Sequence, residues 1–450
     1  MKRAYRASIC FLIFLSACKS TSKPGDQSNY DVLSSARQLV IEDSEIAGIN
    51  FNFCAEKRSF SLTNALWLVY FAANQYTHFK EWGPALERRG FGGKGEGDSF
   101  RQIWYALRIK RISEGLKDVD DTWDDEAERT AHLAAVKDEY LSLYGRKYVD
   151  NGVGAIEFER SIISNGNGEH KIAFFSGTRP SQKGGQNPGS TQALYAEHDT
   201  LDFSIISFRG TETDAKADVF ADVDLIQADF EGYGRAHRGF IKALAEIEEP
   251  LITFLKQRSQ HKKINLWLTG HSLGGALSTL FTAKLMYLHE NGELPNVNLV
   301  GTYNLGSPRI GELAFATKFD QRLMEQKVNF VRLRNYKDLV TTIPFGRRMD
   351  PGYWHVGALG YFSMDGTLYT GNGWQDIDGN SDILDSTPTS TGDHQSTLYW
   401  ERIKKAYSGN GLSETCSSGG NTPLRPYEEY SPERLRAAKA HSPTQSSDEP

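Results

Sequence analysis

One short segment, Gly270–Gly275, constrains the fold of this chain of 450 residues more than any other part of the sequence. It reads Gly-His-Ser-Leu-Gly-Gly and lies between the apolar stretch Ile264–Leu268 and the helical stretch Gly275–Leu288. A Gly-x-Ser-x-Gly pattern alone often occurs by chance, but in this context it predicts a sharp strand-to-helix turn that lifts the serine hydroxyl above a sheet. Amides at the start of the helix then lie where an oxyanion forms. We therefore predict Ser272 as a nucleophile, and the alternative is a serine in a structural turn.

The spacing of apolar stretches after Thr191 predicts a sheet covered by helices. The predicted strands are Ile205–Phe208, Ile264–Leu268, Leu299–Leu305 and Val328–Leu333, and the predicted helices are Phe240–Lys256, Gly275–Leu288 and Glu312–Glu325. Strands that are joined by helices pair in parallel. The predicted fold class is therefore α/β, with a mostly parallel central sheet and helices on both faces.

The region before Thr191 is predicted to contain further helices and a hairpin. A helix begins near Ser61, because apolar residues follow it at helical spacing. The other predictions are a charged surface helix at Asp124–Tyr144, a hairpin of Ala155–Ile163 with Lys171–Phe175, and a loop at Ser181–Ser190. Residues 101–190 are predicted to be an extended or inserted region before the sheet, and no role is assigned to them.

Charge, hydropathy and cysteine spacing exclude several classes of protein. The formal net charge is −6, whereas a nucleic-acid-binding protein normally needs a basic surface. The mean hydropathy of −0.49 excludes a protein with many membrane spans. The four cysteines, Cys10, Cys18, Cys54 and Cys416, lack zinc-ligand spacing and are too few for a disulfide scaffold. No metal site is predicted.

A serine nucleophile needs a base and an acid that orients the base. Asp338 follows the predicted strand Val328–Leu333, at the end of the sheet where active sites gather. Two later histidines can serve as the base. His394 lies on a polar loop before a predicted helix, whereas His355 lies in an aromatic stretch predicted to be a strand, where a structural histidine is commoner. We predict His394 as the base and expect His271, beside the serine, to point away.

The first residues of the chain predict targeting rather than structure. Lys2, Arg3 and Arg6 precede the run Ile9–Leu15, which is too short to span a bilayer as a helix. The run ends in Leu-Ser-Ala-Cys at Cys18, which resembles the lipidation box of bacterial lipoproteins. The alternative is an ordinary secretory signal with a cysteine there by chance.

The lipoprotein resemblance implies a signal peptide at residues 1–17 and a lipid-anchored polar tether at 18–50. The chain would then be held on a membrane of the bacterial cell envelope without spanning it. Lys19, rather than an aspartate, follows the cysteine, which favours the outer membrane. Whether the protein faces the periplasm or the outside stays open.

The predicted folded domain extends over residues 51–416. Cys54 and Cys416 lie near its two ends and are the cysteines that remain in an oxidising compartment. A disulfide between them is one expectation, and two free thiols are the other. Residues 417–450 are rich in proline and serine and are predicted to be a disordered tail.

Six motifs resemble, in the same order, those of the class 3 lipases, the fungal-type triacylglycerol lipase family with its plant and bacterial relatives. The motifs are Phe208–Thr211, His237–Phe240, Gly270–Gly275, Gly306–Gly311, Asp338–Val340 with Ile343-Pro344, and Asp393-His394. They extend across Thr191–Tyr407, about half of the chain. The resemblance implies an alpha/beta hydrolase fold, with the triad of Ser272, Asp338 and His394.

The same resemblance implies an oxyanion hole and a lid. Thr211 would contribute its amide and hydroxyl to the hole, and Leu273 its amide; the family uses no metal, and no cofactor is predicted. The lid would follow Thr211, but Glu212–Glu231 carries seven acidic side chains and one lysine. Such a lid should adsorb poorly to anionic or bulk neutral lipid. The alternative is a solvated loop.

The predicted function is that of a serine carboxylic ester hydrolase, a lipase acting on lipid esters through an acyl-enzyme. Phospholipase A1 and short-chain esterase activity are alternatives on the same site. A different class of alternative is a non-catalytic lipoprotein that binds lipid or protein, and a peptidase with the same triad is a further one. No protein partner is predicted.

Overall fold

The structure is a computed structural model that describes residues 49, 51–75, 86, 89–91, 171–180, 186–210, 226–260, 262–344, 352–370, 392–410, 416 and 422–424. All of them lie within the unit Leu39–Pro450. The predictions for the signal peptide, nearly all of the tether, Asp124–Tyr144, Ala155–Ile163 and most of the tail fall outside the described residues.

An eight-stranded sheet forms the centre of the described part. In chain order the strands are β1 (Ile172–Pro180), β2 (Gln186–Glu197), β3 (Ser204–Phe208), β4 (Gln227–Asp229), β5 (Arg235–His237), β6 (Ile264–His271), β7 (Val297–Leu305), β8 (Asn329–Asn335), β9 (Ala358–Phe362) and β10 (Leu368–Thr370). The sheet runs β1-β2-β3-β6-β7-β8-β9-β10, and β4 pairs with β5 apart from it. From β3 to β9 the strands of this sheet are parallel, and the outer pairings are antiparallel.

Helices cover both faces of the sheet. They are α1 (Leu62–Asn74), α2 (Arg238–Ala245), α3 (Glu248–Arg258), α4 (Leu273–Glu290), α5 (Leu313–Gln326) and α6 (Ser396–Asn410). Side chains alternate along a strand, so Trp267 on β6 packs in the core beneath α1 and α6. Its neighbours Leu266 and Leu268 pack in the opposite core, against α2 to α5. The predicted fold class, alpha/beta hydrolase with a mostly parallel sheet between two helical layers, is confirmed.

The single helix predicted at Phe240–Lys256 is wrong. The structure has two helices there, α2 and α3, separated at Glu246 and Ile247. Pro250 lies in the first turn of α3. It lacks an amide proton, and its ring would clash with the carbonyl four residues earlier in a continuous helix. Apolar residues continue at helical spacing through the break, so this pattern alone predicts one helix.

The loop predicted at Ser181–Ser190 is wrong in its second half, because β2 already begins at Gln186. Within β2, Pro188 lies opposite Thr178 of β1, next to a register shift between Ser176 and Thr178. Proline is tolerated in a strand where the ladder is irregular. The segment Lys171–Phe175, predicted to pair with Ala155–Ile163, pairs with β2 in the structure.

Candidate active site

Ser272 occupies the sharp turn between β6 and α4. Its backbone has φ 59° and ψ −126°, a conformation that a residue with a side chain seldom adopts. The neighbouring glycines are required by close approach of the backbone. A Cβ on Gly270 would lie 2.2 Å from the carbonyl oxygen of Gly274, and one on Gly274 would lie 2.2 Å from that of Phe208. The turn can therefore form only with glycine at both positions.

The structure brings the predicted Ser272, His394 and Asp338 together at the carboxyl ends of the parallel strands. The Nε2 of His394 lies 2.8 Å from the Oγ of Ser272. Its Nδ1 lies 2.9 Å from the Oδ2 of Asp338. All three side chains are buried. This arrangement can remove the serine proton when the hydroxyl attacks a carbonyl carbon.

The carboxylate of Asp338 has two further hydrogen bonds. Its Oδ1 accepts from the amide of Val340 at 2.9 Å, and its Oδ2 accepts from the hydroxyl of Tyr399 at 2.6 Å. Burial and the adjacent carboxylate of Asp338 raise the pKa of Tyr399 well above its usual value, so the hydroxyl stays a donor. Tyr399 is not among the residues predicted from the sequence to form the site. Its position in α6 follows a helical pattern that also suits a core residue, so no sequence signal singles it out.

Gly306 lies against the bond between the acid and the base. Its φ is 57°, and a Cβ there would lie 2.8 Å from the Oδ2 of Asp338 and 2.9 Å from the Nδ1 of His394. A side chain at this position would displace one of the two groups. Gly306 belongs to one of the six sequence motifs, but it was not among the predicted site residues.

The other histidines have contacts of their own. His355 is buried and its Nε2 lies 2.7 Å from the carbonyl oxygen of Thr341. Burial, followed by the charge of Arg332, lowers its pKa well below the usual value, so the ring is neutral. It precedes β9 rather than lying in a strand, contrary to our prediction. His237 caps the start of α2 by accepting from the amide of Phe240.

The expectation that His271 points away from the site holds only in part. Its Nε2 lies 2.7 Å from the carbonyl oxygen of His394. The two imidazole rings are stacked, with centroids 4.5 Å apart. His271 therefore contacts the predicted base, although no sequence pattern distinguishes it from an ordinary buried histidine.

The predicted oxyanion hole is described in part. Leu273 is the first residue of α4, and an amide at that position has no carbonyl partner within its own helix. It is therefore available to an oxyanion beside Ser272. Thr211, most of the predicted lid and the predicted lipidation site Cys18 lie outside the described residues.

Cys54 and Cys416 are joined by a disulfide, with their Cα atoms 5.1 Å apart. Within the described ranges, no group of three or more His, Cys, Asp or Glu side chains is arranged to hold a metal ion. No helix in that part of the chain has both the length and the apolar character needed to cross a membrane.

Comparison with known proteins gives a match to one family over part of the chain. Residues 205–347 match the family described as Lipase (class 3). A lipase of Rhizomucor miehei is 31% identical over 157 residues, which are 34% of this chain and 41% of that protein. Triacylglycerol lipase OBL1 of Arabidopsis thaliana is 26% identical over 177 residues, 31% of this chain and 34% of the relative.

A third similar protein is named as a phospholipase rather than as a triacylglycerol lipase. Phospholipase A1-II 1 of Oryza sativa subsp. indica is 31% identical over 90 residues, 20% of this chain and 21% of the relative. The chain thus spans less than half the length of these relatives. Among solved structures, one of a triacylglycerol lipase with a serine protease triad aligns with 52% of this chain and 86% of that chain, at 21% identity and a TM-score of 0.38.

Proposed function

We propose that this chain, whose residues 205–347 match the class 3 lipases, is a serine carboxylic ester hydrolase that acts on lipid esters. One observation carries the proposal: Ser272, His394 and Asp338 form a continuous chain of hydrogen bonds at the end of a parallel sheet. A serine in a structural turn needs no histidine on its hydroxyl. The similarity to lipases of a fungus and a plant supports esters, rather than peptides, as substrates.

The proposed reaction has two steps. In the first, Ser272 Oγ attacks the ester carbonyl carbon while His394 accepts the hydroxyl proton. The amide of Leu273 and the predicted donor Thr211 bind the oxyanion, and each such donor contributes about 3–4 kcal/mol in serine hydrolases. His394 then gives its proton to the leaving alcohol, and an acyl-enzyme remains on Ser272.

In the second step, His394 takes a proton from water, which attacks the acyl carbonyl. The fatty acid leaves, and the proton returns to Ser272. Asp338 keeps the imidazole oriented with Nε2 towards the serine and stabilises the imidazolium in both steps. Asp338 has the geometry for this role, because its Oδ2 also accepts from Tyr399. The carboxylate therefore cannot rotate without breaking that hydrogen bond.

The test is ester hydrolysis by the full chain in detergent micelles, with Ser272→Ala beside it. We expect the wild type to hydrolyse p-nitrophenyl esters and the variant to lose at least about a thousandfold in kcat. A fluorophosphonate should label the wild type and not the variant, because labelling needs an activated serine. A variant with full activity or full labelling contradicts the assignment. An unlabelled, inactive wild type favours the lipid-binding or protein-binding alternative.

The same protein can be used to determine which lipid ester it hydrolyses. The similarity to phospholipase A1-II 1 makes phospholipid a second candidate beside acylglycerol. Hydrolysis of triacylglycerol emulsion and of phosphatidylcholine micelles, compared at equal ester concentration, separates the two. Activity confined to short p-nitrophenyl esters points to the esterase alternative instead.

We further propose that Cys18 is lipid-modified and holds the enzyme on the bacterial cell envelope, with the outer membrane favoured. The sequence supports this, since Cys18 ends a basic and then apolar segment in a lipoprotein-like box. In a bacterial host, we expect the wild type in the membrane fraction and Cys18→Ala in the soluble envelope fraction. Equal membrane association of the two contradicts lipid anchoring at this cysteine.

A further inference from the structure

The proposed base lies on a short turn rather than in the sheet. His394 ends the 3-10 turn Gly392–His394, which precedes α6. Two side chains from the sheet donate to carbonyl oxygens of this turn. The Nε2 of His271 lies 2.7 Å from the oxygen of His394, and the Nδ2 of Asn335 lies 3.0 Å from the oxygen of Asp393.

Both donors lie beside another residue of the triad. His271 is the last residue of β6 and directly precedes Ser272. Asn335 is the last residue of β8, and its carbonyl accepts from the amide of Asp338 at 2.8 Å. The backbone of each donor is fixed by sheet pairing, His271 opposite Leu305 and Asn335 opposite Phe362. Each donor therefore ties the turn to the strand that also positions the nucleophile or the acid.

We propose that His271 and Asn335 are positioning residues, which clamp the turn carrying His394 to the ends of β6 and β8. The inference rests on the proposed function, since it assigns how the hydrolase holds its base. The donor contact requires the proton of His271 on Nε2, because a carbonyl oxygen only accepts. Stacking of the two rings, at an interplanar angle of 30°, further restricts the base.

The clamp acts on distances that the chemistry depends on. The base lies 2.8 Å from the nucleophile and 2.9 Å from the acid, so it has hydrogen bonds on both sides that a shifted turn would lengthen. A misplacement of about 1 Å reduces turnover about a hundredfold in enzymes. A donor that only satisfied a buried carbonyl would affect stability and leave turnover unchanged.

Three variants separate the clamp from packing. His271→Phe keeps a ring against His394 and removes the donor, whereas His271→Gln keeps an amide donor that reaches about as far as Nε2. Asn335→Leu keeps the volume and removes the donor. We expect kcat to fall about 10–100-fold in the Phe and Leu variants, with KM within about threefold of wild type. We expect the kcat of His271→Gln to be at least about fivefold higher than that of His271→Phe.

Two control variants remove buried donors or acceptors at the other end of the sheet. His198 accepts from the amide of Leu201 at 2.9 Å, and Asn265 donates to the carbonyl of Asp202 at 3.0 Å. His198→Phe and Asn265→Leu should lower the melting temperature and leave kcat within about twofold of wild type. Melting curves of all five variants, in the full chain in detergent, report folding alongside kcat.

The outcomes are distinct. If the clamp variants melt as folded proteins and keep wild-type kcat, this inference is wrong and the hydrolase assignment stands. An equal loss of kcat in the control variants has the same meaning. A wild type without esterase activity or fluorophosphonate labelling overturns the proposed function and the clamp with it. If a bulky substitution prevents folding, His271→Ala and Asn335→Ala carry the same expectation, because they remove the donor without adding volume.

Discussion

At the level of single residues, the site needs glycine at three positions as much as it needs the side chains of the predicted triad. Gly270 and Gly274 allow β6, α4 and β3 to approach within van der Waals contact, and Gly306 leaves room for the pair of Asp338 and His394. A Cβ at any of these positions would meet backbone atoms or atoms of the predicted triad, which cannot shift without a cost in packing. Glycine at these positions is thus a requirement of the proposed catalytic geometry.

Gly306→Ala should damage catalysis more than folding. The added Cβ collides with Asp338 and His394, so we expect kcat to fall at least about a hundredfold by displacement of the base. Both Gly306 and Gly292 have positive φ, and nothing lies within 4 Å of a Cβ on Gly292. Gly292→Ala is therefore the matched control. It should lose about 1 kcal/mol of stability and keep its kcat.

Measured kcat and the free energy of unfolding of both variants test this. Equal kcat in Gly306→Ala and Gly292→Ala would mean that the site tolerates the methyl group.

At the scale of elements, helix α1 supports the sheet beneath the site. Twelve of its 13 residues are buried, and they pack against β6, β7 and α6. Its start is fixed by Ser61, whose Oγ accepts from the amide of Asn64 at 3.1 Å. The Ser61 amide also donates to the hydroxyl of Tyr303 on β7. The helix is therefore tied to the sheet at its first turn.

Ser61→Ala should lower the free energy of unfolding by about 1 kcal/mol, because it leaves an amide at the helix start without its cap. Ser408 is exposed near the end of α6, and Ser408→Ala should change stability by less than about 0.5 kcal/mol. Denaturant unfolding of both variants measures the difference. A loss in Ser61→Ala no larger than in Ser408→Ala would show that the cap contributes nothing.

At the scale of the whole molecule, the disulfide closes the chain around the folded unit. Cys54 and Cys416 are separated by 362 residues, and Cys54 is held against α1 by hydrogen bonds with the side chain of Asn64. A cross-link that closes a long loop restricts the unfolded chain, which contributes about 2–5 kcal/mol to stability.

Removal of the disulfide should lower the melting temperature by about 5–10 °C. Thermal unfolding with and without a thiol reductant measures this in the wild type and in the double variant Cys54→Ala, Cys416→Ala. The double variant should melt at the lower temperature under both conditions, which excludes effects of the reductant on other groups. A wild type that melts at the same temperature in both conditions contradicts the prediction.

Features that depend on residues close together in the chain could be predicted from the sequence alone. The strand–turn–helix around Ser272, the buried parallel strands and the order of the motifs follow from local patterns of glycine and apolar residues. The same local reasoning failed at Pro250, whose ring would clash with the carbonyl four residues earlier in a continuous helix, and at β2, which pairs with β1 across a register shift. It also assigned no role to residues 101–190, of which the structure describes β1 and the first residues of β2.

Contacts between residues that are distant in the chain could be read only from the folded structure. His394 lies 122 residues from Ser272 in the chain and 56 from Asp338. The sequence predicts it as the base in preference to His355, but the hydrogen-bond distances that join it to Ser272 and Asp338 come only from the structure. Tyr399, Gly306 and the donors His271 and Asn335 likewise became visible only when the strand ends came together. The physical reason is that a hydrogen bond depends on tenths of an ångström, and these are set by packing of the whole sheet.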